Sequence, residues 1–253
     1  MYISAFGWQI KSAESRLAAD LTNRWNAGNL IGARVVEVGG INGDVRFIES
    51  DAYEKPMPLQ SFGWTALEIC VDDVHKYVEQ AVKAGFKILN EAVPLSGSDK
   101  PLPLIAAQLA GINGEVVYVT QILSEVPNFE LPDVSKESGS IFICVLGASN
   151  LENSREMIES KFDVRRASDR EVAIRVINRV FQKPLTTLHR LSSLQLSGRN
   201  AIEIDQMPTE ASVREVKAAN LPPGISVVTV NGEVSEPHIL KLPDSALLEI
   251  LPY

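Results

Sequence analysis

The chain has 253 residues, 45% of them apolar and 22% charged, which is enough to build one or two hydrophobic cores and too apolar for a disordered chain. With 24 Lys and Arg against 32 Asp and Glu, the formal net charge of -8 disfavours whole-molecule binding to nucleic acid or an anionic membrane. Two cysteines, Cys70 and Cys144, are too few for a disulfide framework. No apolar run is long enough to span a bilayer, and the first residues lack a signal-peptide pattern, so a cytoplasmic protein is expected.

In chain order, strand-like ARVVEV leads into GINGDV at 40–45 and then RFIES. The same text returns as GINGEV at 111–116, ahead of VYVTQ. An Asn-Gly pair between apolar runs is a strong hairpin signal, so each copy is expected to close a β-hairpin. Between the copies, GWTALEICV (63–71) predicts a strand with Trp64, Ala66, Glu68 and Cys70 on one face. A helix follows from about Asp73 to Ala84, with Val74, Tyr77, Val78 and Ala81 on one stripe and Gly85 as the stop.

The segment SEVPNFELPDVSKESGS (124–140) has no apolar period and reads as a linker. It divides the chain into an N-terminal domain at 1–124, a linker at 125–139 and a C-terminal domain at 140–253. Beyond it the ICV of 69–71 recurs at 143–145, again before a helix, here with a Ser149/Glu152 capping-box pattern. Residues 161–199 then hold nine cations against three anions. Within them, 168–184 predicts a helix opened by Ser168 and Glu171 and stopped by Pro184. Ile174, Ile177 and Phe181 would form its apolar stripe, while Arg175 and Arg179 share another face, a pattern suited to a lid. The strands RNAIEI (199–204) and SALLEI (245–250) carry Glu203 and Glu249, preceded by HRL at 189–191 and HIL at 238–240. After 224–232 too few residues remain for another full helix.

A strand ending Leu-Glu-Ile-Cys-Val-Asp-Asp, a helix ending Ala-Gly, a Gly-centred hairpin and a last strand together resemble the vicinal oxygen chelate superfamily. This group comprises glyoxalases, extradiol dioxygenases and bleomycin-resistance proteins. The resemblance covers nearly the whole chain, as modules at 1–50, 62–123, 139–206 and 222–253. It implies an α+β fold of four βαβββ-type modules paired into two domains. It also implies metal ligands at a His or Gln on a module's first strand and a Glu on its last. The first-strand positions fall on Ala66, Ser140 and Ile225, none a good ligand, and the last-strand positions on Phe47, Tyr118, Glu203 and Glu249. A metal-free N-terminal cup follows, and any divalent metal would use His189, His238, Glu203 and Glu249.

The function so implied is small-molecule catabolism by a lyase or isomerase, with His189, Glu203 and Glu249 as catalytic groups. The substrate would be anionic with an aromatic or apolar body, because arginine suits bidentate capture of carboxylate or phosphate. Arg175, Asn178, Arg179, Arg190, Trp64, Glu68 and Tyr118 are the expected binding residues. Two alternatives stand beside this reading: a non-catalytic protein that sequesters a hydrophobic molecule, and an extradiol-type dioxygenase, which the missing first-strand histidines disfavour. No nucleic-acid or membrane partner is expected, and a homodimer is compatible with the pattern.

Overall fold

A computed structural model describes residues 1–51, 53–96, 101–162 and 164–253. The first module contributes α1 (Tyr2–Phe6), β1 (Gln9–Arg16), α2 (Ala19–Arg24), β2 (Arg34–Gly39) and β3 (Asp44–Ile48). The second contributes β4 (Gly63–Val71), α3 (Val74–Lys83), β5 (Lys87–Ser96), β6 (Pro101–Ala110) and β7 (Val116–Ile122). A short α4 (Val134–Glu137) precedes the third: β8 (Ile141–Ala148), α5 (Leu151–Glu159), β9 (Arg165–Val172), α6 (Arg175–Val180), β10 (His189–Gln195) and β11 (Ala201–Gln206). The last has three strands and no α-helix: β12 (Val227–Gly232), β13 (His238–Lys241) and β14 (Leu247–Pro252). The architecture is α+β.

Both GING copies close hairpins, between β2 and β3 and between β6 and β7. Gly43 and Gly114 occupy the left-handed region at φ 80° and 84°, which explains a glycine after each Asn. The first hairpin also docks on the start of β8, where Ile141 N–H donates to the Asn42 carbonyl at 3.0 Å.

Eight strands form one sheet in the order β5-β6-β7-β4-β8-β11-β10-β9, flanked by two three-stranded sheets, β1-β2-β3 and β12-β14-β13. The two ICV strands, β4 and β8, meet antiparallel at its middle, with Glu68 opposite Ile143 and Ala66 opposite Val145. The second and third modules therefore share a sheet, and residues 125–139 connect two halves of it.

One face of this sheet is covered by helices. Leu67, Ile69 and Val71 pack with Val74, Val78 and Ala81 of α3, and Leu194, Ile202 and Ile204 pack with Leu151 and Ile158 of α5. Each such fully buried side chain contributes roughly 1.5–3 kcal/mol. The opposite, concave face gathers Ala66, Cys70, Tyr118, Ile143 and Val145 beneath Val176 and Ile177 of α6.

Three local expectations need correction. The α5 cap is Asn150, whose side chain accepts from Asn153 N–H at 2.9 Å, because the Ser149 N–H is taken by Asp244. Residues 168–172 are strand, not helix: β9 pairs with β10 from Arg165 to Val172, and that ladder outweighs a local capping pattern. Only Arg175–Val180 is helical. Trp64 leaves the Glu68 face, since a bulge between Trp64 and Ala66 breaks the alternation. Its indole joins the cluster around α5 and donates to the Leu247 carbonyl at 2.8 Å.

A pair of substitutions tests the hairpin docking. Gly198 has φ 73° with open space around its missing Cβ, so Gly198→Ala is expected to cost about 1 kcal/mol. At Gly43 a Cβ would lie 2.7 Å from the Ile141 Cβ, so Gly43→Ala is expected to cost at least ~1 kcal/mol more. Urea unfolding of the two variants measures the difference, and equal losses would contradict the docked hairpin.

Candidate functional site

The concave face carries polar groups at the sheet's centre because alternation turns every second residue of β4, β7, β9 and β11 inward. Glu68 on β4 lies directly opposite Tyr118 on β7, and the neighbouring inward residue of β7, Thr120, donates its hydroxyl proton to Glu68 Oε1. On β11 the inward residues are Ala201, Glu203 and Asp205, with Val145 opposite Glu203. Arg170, opposite Leu191 in the β9/β10 ladder, supplies the cation that the three carboxyls feel. Glu68, Tyr118, Thr120 and Asp205 are all buried. The Tyr118 hydroxyl, Asp205 Oδ1 and Arg170 Nε have no hydrogen-bond partner among the described residues.

Burial is the dominant influence on this cluster. It pushes the Glu68 carboxyl up to about 8, helped by the Glu203 charge and opposed by the Thr120 hydroxyl and Arg170. Burial also raises Glu203, against Arg170. Asp205 is raised well above the carboxylate range by burial and by the charges of Glu203 and Glu68, with Arg170 again opposing. The Tyr118 phenol moves up for the same reasons, burial first and then the three carboxylates. Glu68 holds at neutral pH a proton that an exposed carboxyl would release.

The three expected catalytic groups do not meet. Ser193 is the residue opposite Glu203, and His189 lies four residues from Ser193, roughly 13 Å away at about 3.3 Å per residue. His189 Nε2 instead bonds Asn178 Oδ1 at 2.7 Å, while Asn178 Nδ2 donates to the Leu185 and Thr187 carbonyls at 3.3 and 2.9 Å. Burial lowers the His189 pKa, with help from Lys183. That constellation anchors the chain after α6. Glu249 belongs to the separate β12-β14-β13 sheet and accepts from Trp25 Nε1 at 3.2 Å, Thr229 Oγ1 at 2.9 Å and the Arg24 guanidinium at 3.3 Å. His238 is exposed and stands opposite Ile250, one residue out of step with Glu249.

The expected arginines divide. Arg179 reaches from α6 to the β5 side chain of Asn90, Nε to Oδ1, at 3.1 Å. Arg175 is exposed on the same helix. Arg190 alternates to the α5 side of β10 and pairs with Glu152. Other cations of the basic segment are likewise matched, Arg165 to Glu130, Arg166 to Glu159, Lys183 to Glu210 and Arg199 to Glu137.

No protein-family profile matches the sequence, and no curated protein does so either. Solved structures do match the fold. A point-mutant glyoxalase I from Zea mays aligns over 99% of this chain and 87% of its own, with a TM-score of 0.61 at 13% identity. Glyoxalase I from Zea mays aligns over 99% and 85%, with 0.58 at 15% identity. A candidate dioxygenase from Bacillus subtilis aligns over 98% and 78%, with 0.60 at 9% identity. The chain has the vicinal oxygen chelate fold.

In the vicinal oxygen chelate arrangement the metal would sit where the first and last strands of paired modules meet, here β4, β7, β8 and β11. The residues present do not fit it. Ala66 and Tyr118 occupy two implied ligand positions, Ser140 is held by Cys70 and Asn42, and Glu203 alone remains a ligand type. No three Asp, Glu, His or Cys side chains among the described residues converge to hold an ion, which also sets aside the His189, His238, Glu203 and Glu249 set. Glu68, one inward step beyond Ala66, adds a carboxyl, and Arg170 already supplies a positive charge to the same space.

Sequence reasoning missed Arg170, Thr120 and Asp205. Asp205 follows Glu203 by two residues and was recoverable from strand alternation; Arg170 was hidden by its assignment to a helix. Between the ordinary carboxyl value of 4.5 and about 8, folded Glu68 keeps a proton that the unfolded chain releases. Its stabilising contribution is therefore complete below 4.5 and is lost as pH rises towards 8, with a slope of up to about 1.4 kcal/mol per pH unit. Glu68→Gln is expected to flatten that slope, as urea unfolding at several pH values between 5 and 8 would measure.

Proposed function

We propose that this protein is a small-molecule enzyme of the lyase or isomerase type that works by proton transfer in the concave face of the central sheet. The observation that carries the reading is the Glu68, Glu203 and Asp205 cluster beside the unpartnered Tyr118 hydroxyl, Asp205 Oδ1 and Arg170 Nε. Buried carboxyls whose charges raise the pKa of their neighbours would provide an acid and a base in one place, as abstraction and return of a proton next to a carbonyl require. Glu68, protonated at neutral pH, would give a proton, and a neighbouring carboxylate would take one. Arg170 and the Tyr118 hydroxyl would stabilise the oxygen anion formed between these steps.

The substrate class follows from the walls. Ile143, Val145, Val176 and Ile177 favour an apolar or aromatic body, and Arg170 favours a carboxylate or enolate. Entry would require α6 to lift, which makes the Arg179 to Asn90 hydrogen bond its latch. The reading keeps a cytoplasmic protein, as monomer or homodimer, with a small molecule as its partner. No described helix is long and apolar enough to cross a membrane. The apolar walls also favour a second reading, sequestration of a hydrophobic molecule in the same hollow without turnover.

Thermal-shift screening of aromatic and aliphatic hydroxy and keto acids, followed by NMR in D2O, separates the two. Under the catalytic reading a stabilising acid exchanges a carbon-bound hydrogen for deuterium with the wild-type protein. Glu68→Gln and Glu203→Gln should each slow that exchange at least ~100-fold while ligand-induced stabilisation persists. Arg170→Met should lose the stabilisation itself. Stabilisation without exchange in the wild type assigns the protein to sequestration.

A further inference from the structure

The two small sheets leave an interval between them. Among the described residues, β3 pairs only with β2, and β12 only with β14. A cleft of about 1530 Å³ lies there, and its walls include the consecutive residues 44–50 and 227–231. A sheet face offers a void every second residue, whereas an unpaired edge offers every residue in turn, so the cleft is bordered by two strand edges. Ile48 at the end of one edge and Val227 at the start of the other both pack against the apolar cluster of Leu17, Trp25, Leu30 and Leu221.

The central sheet contains the same interval filled. β3 and β7 both follow a GING hairpin, and β8 and β12 both pair in parallel with the last strand of their module. Between β7 and β8 lies β4, parallel to the former and antiparallel to the latter. The order β1-β2-β3, interval, β12-β14-β13 thus matches β5-β6-β7, β4, β8-β11-β10 strand for strand.

We propose that the interval between β3 and β12 is a binding slot for one extended polypeptide strand. The strand runs parallel to β3 and antiparallel to β12 and completes a second sheet behind the first. Its recognition would be β-augmentation on both sides, with main-chain hydrogen bonds to two edges. The cleft walls set its side-chain pattern. Leu67, Cys144 and Ile202 line the cleft from the central sheet and call for apolar residues at alternate positions. Arg24 and Glu249, paired with each other, line it from the other side, where polar residues suit the positions between the apolar ones. The sequence of β4 meets both demands, with Leu67, Ile69 and Val71 on one face and Glu68 on the other.

The test uses the full chain and a synthetic peptide of residues 63–73, with amide hydrogen exchange read by mass spectrometry. Bound peptide is expected to slow exchange at least ~10-fold in 44–48 and 227–232 while leaving the open edges of β5, β9 and β13 unchanged. The same peptide with Ile69→Pro, which cannot complete the ladder, should have no effect. Absence of slowing at the two edges, equal slowing by the proline peptide, or slowing spread over every open edge would each overturn the proposal. Protection of both edges that grows with protein concentration and needs no peptide would overturn it in favour of a second copy.

Discussion

Antiparallel pairing of β4 with β8 places the first strands of two modules side by side, and the parallel partners β7 and β11 then flank them. All nine residues of β4 are buried as a result, since the strand has hydrogen-bonded neighbours on both edges and packed side chains on both faces. A strand in that position ordinarily consists of apolar residues throughout. β4 departs from the rule at Glu68, and the departure must be matched by something with the opposite preference. Thr120 and Arg170 supply part of the match, and the remainder appears as a carboxyl that holds its proton at neutral pH. The position of the pairing and the chemistry of the hollow are therefore one constraint.

Such a cluster opposes folding. Three acidic groups with raised pKa values and three polar atoms without partners each cost desolvation free energy that apolar side chains would avoid. Val176 and Ile177 of α6 pack with the apolar residues around the cluster, and the burial deepens that cost and strengthens every charge interaction inside. A polar interior of this kind is consistent with function at the expense of stability, because a purely structural core gains nothing from it. The two thiols illustrate the contrast: burial pushes Cys70 and Cys144 up to about 12, which leaves them inert packing groups.

The sequence disclosed the modules more readily than the site. Repeated GING and ICV text located the hairpins and central strands because those features depend on local turn chemistry and on period-two alternation. It disclosed the α3 boundaries too, through Asp73 as cap and Gly85 at φ 102° as stop. Which modules share a sheet depends on long-range pairing, and text alone did not carry it. Glu68 and Tyr118 were legible as an inward pair. Trp64 was misplaced by a bulge that no alternation rule foresees, and the strand at 165–172 was concealed by a capping pattern that a partner strand overrode. His189 looked chemical because histidine is rare in this chain, yet its bonds tie down the turn that follows α6.

Glu203 and Glu249 make the closing comparison. Each is the Glu of a module's last strand, each lies in a parallel pair with that module's first strand, and each is at most partly exposed. Their surroundings differ in the donors that nearby turns bring to each. Beside Glu249, the turn after β1 delivers Arg24 and Trp25, so its carboxylate gains a guanidinium, an indole N–H and the Thr229 hydroxyl. In the third module, Glu203's own, the turn after β9 delivers α6, whose Val176 and Ile177 bring no hydrogen-bond donor to Glu203. The Asn-Arg pair is present in both turns, as Asn23-Arg24 and Asn178-Arg179, but Arg179 is directed to Asn90 at the sheet's far edge. One carboxylate is thereby saturated with donors, and the other is raised by burial and in turn raises Glu68 and Asp205 through its charge. The same module position thus has a carboxylate held by three donors in one sheet and a carboxyl raised by burial in the other, according to where Arg24 and Arg179 point.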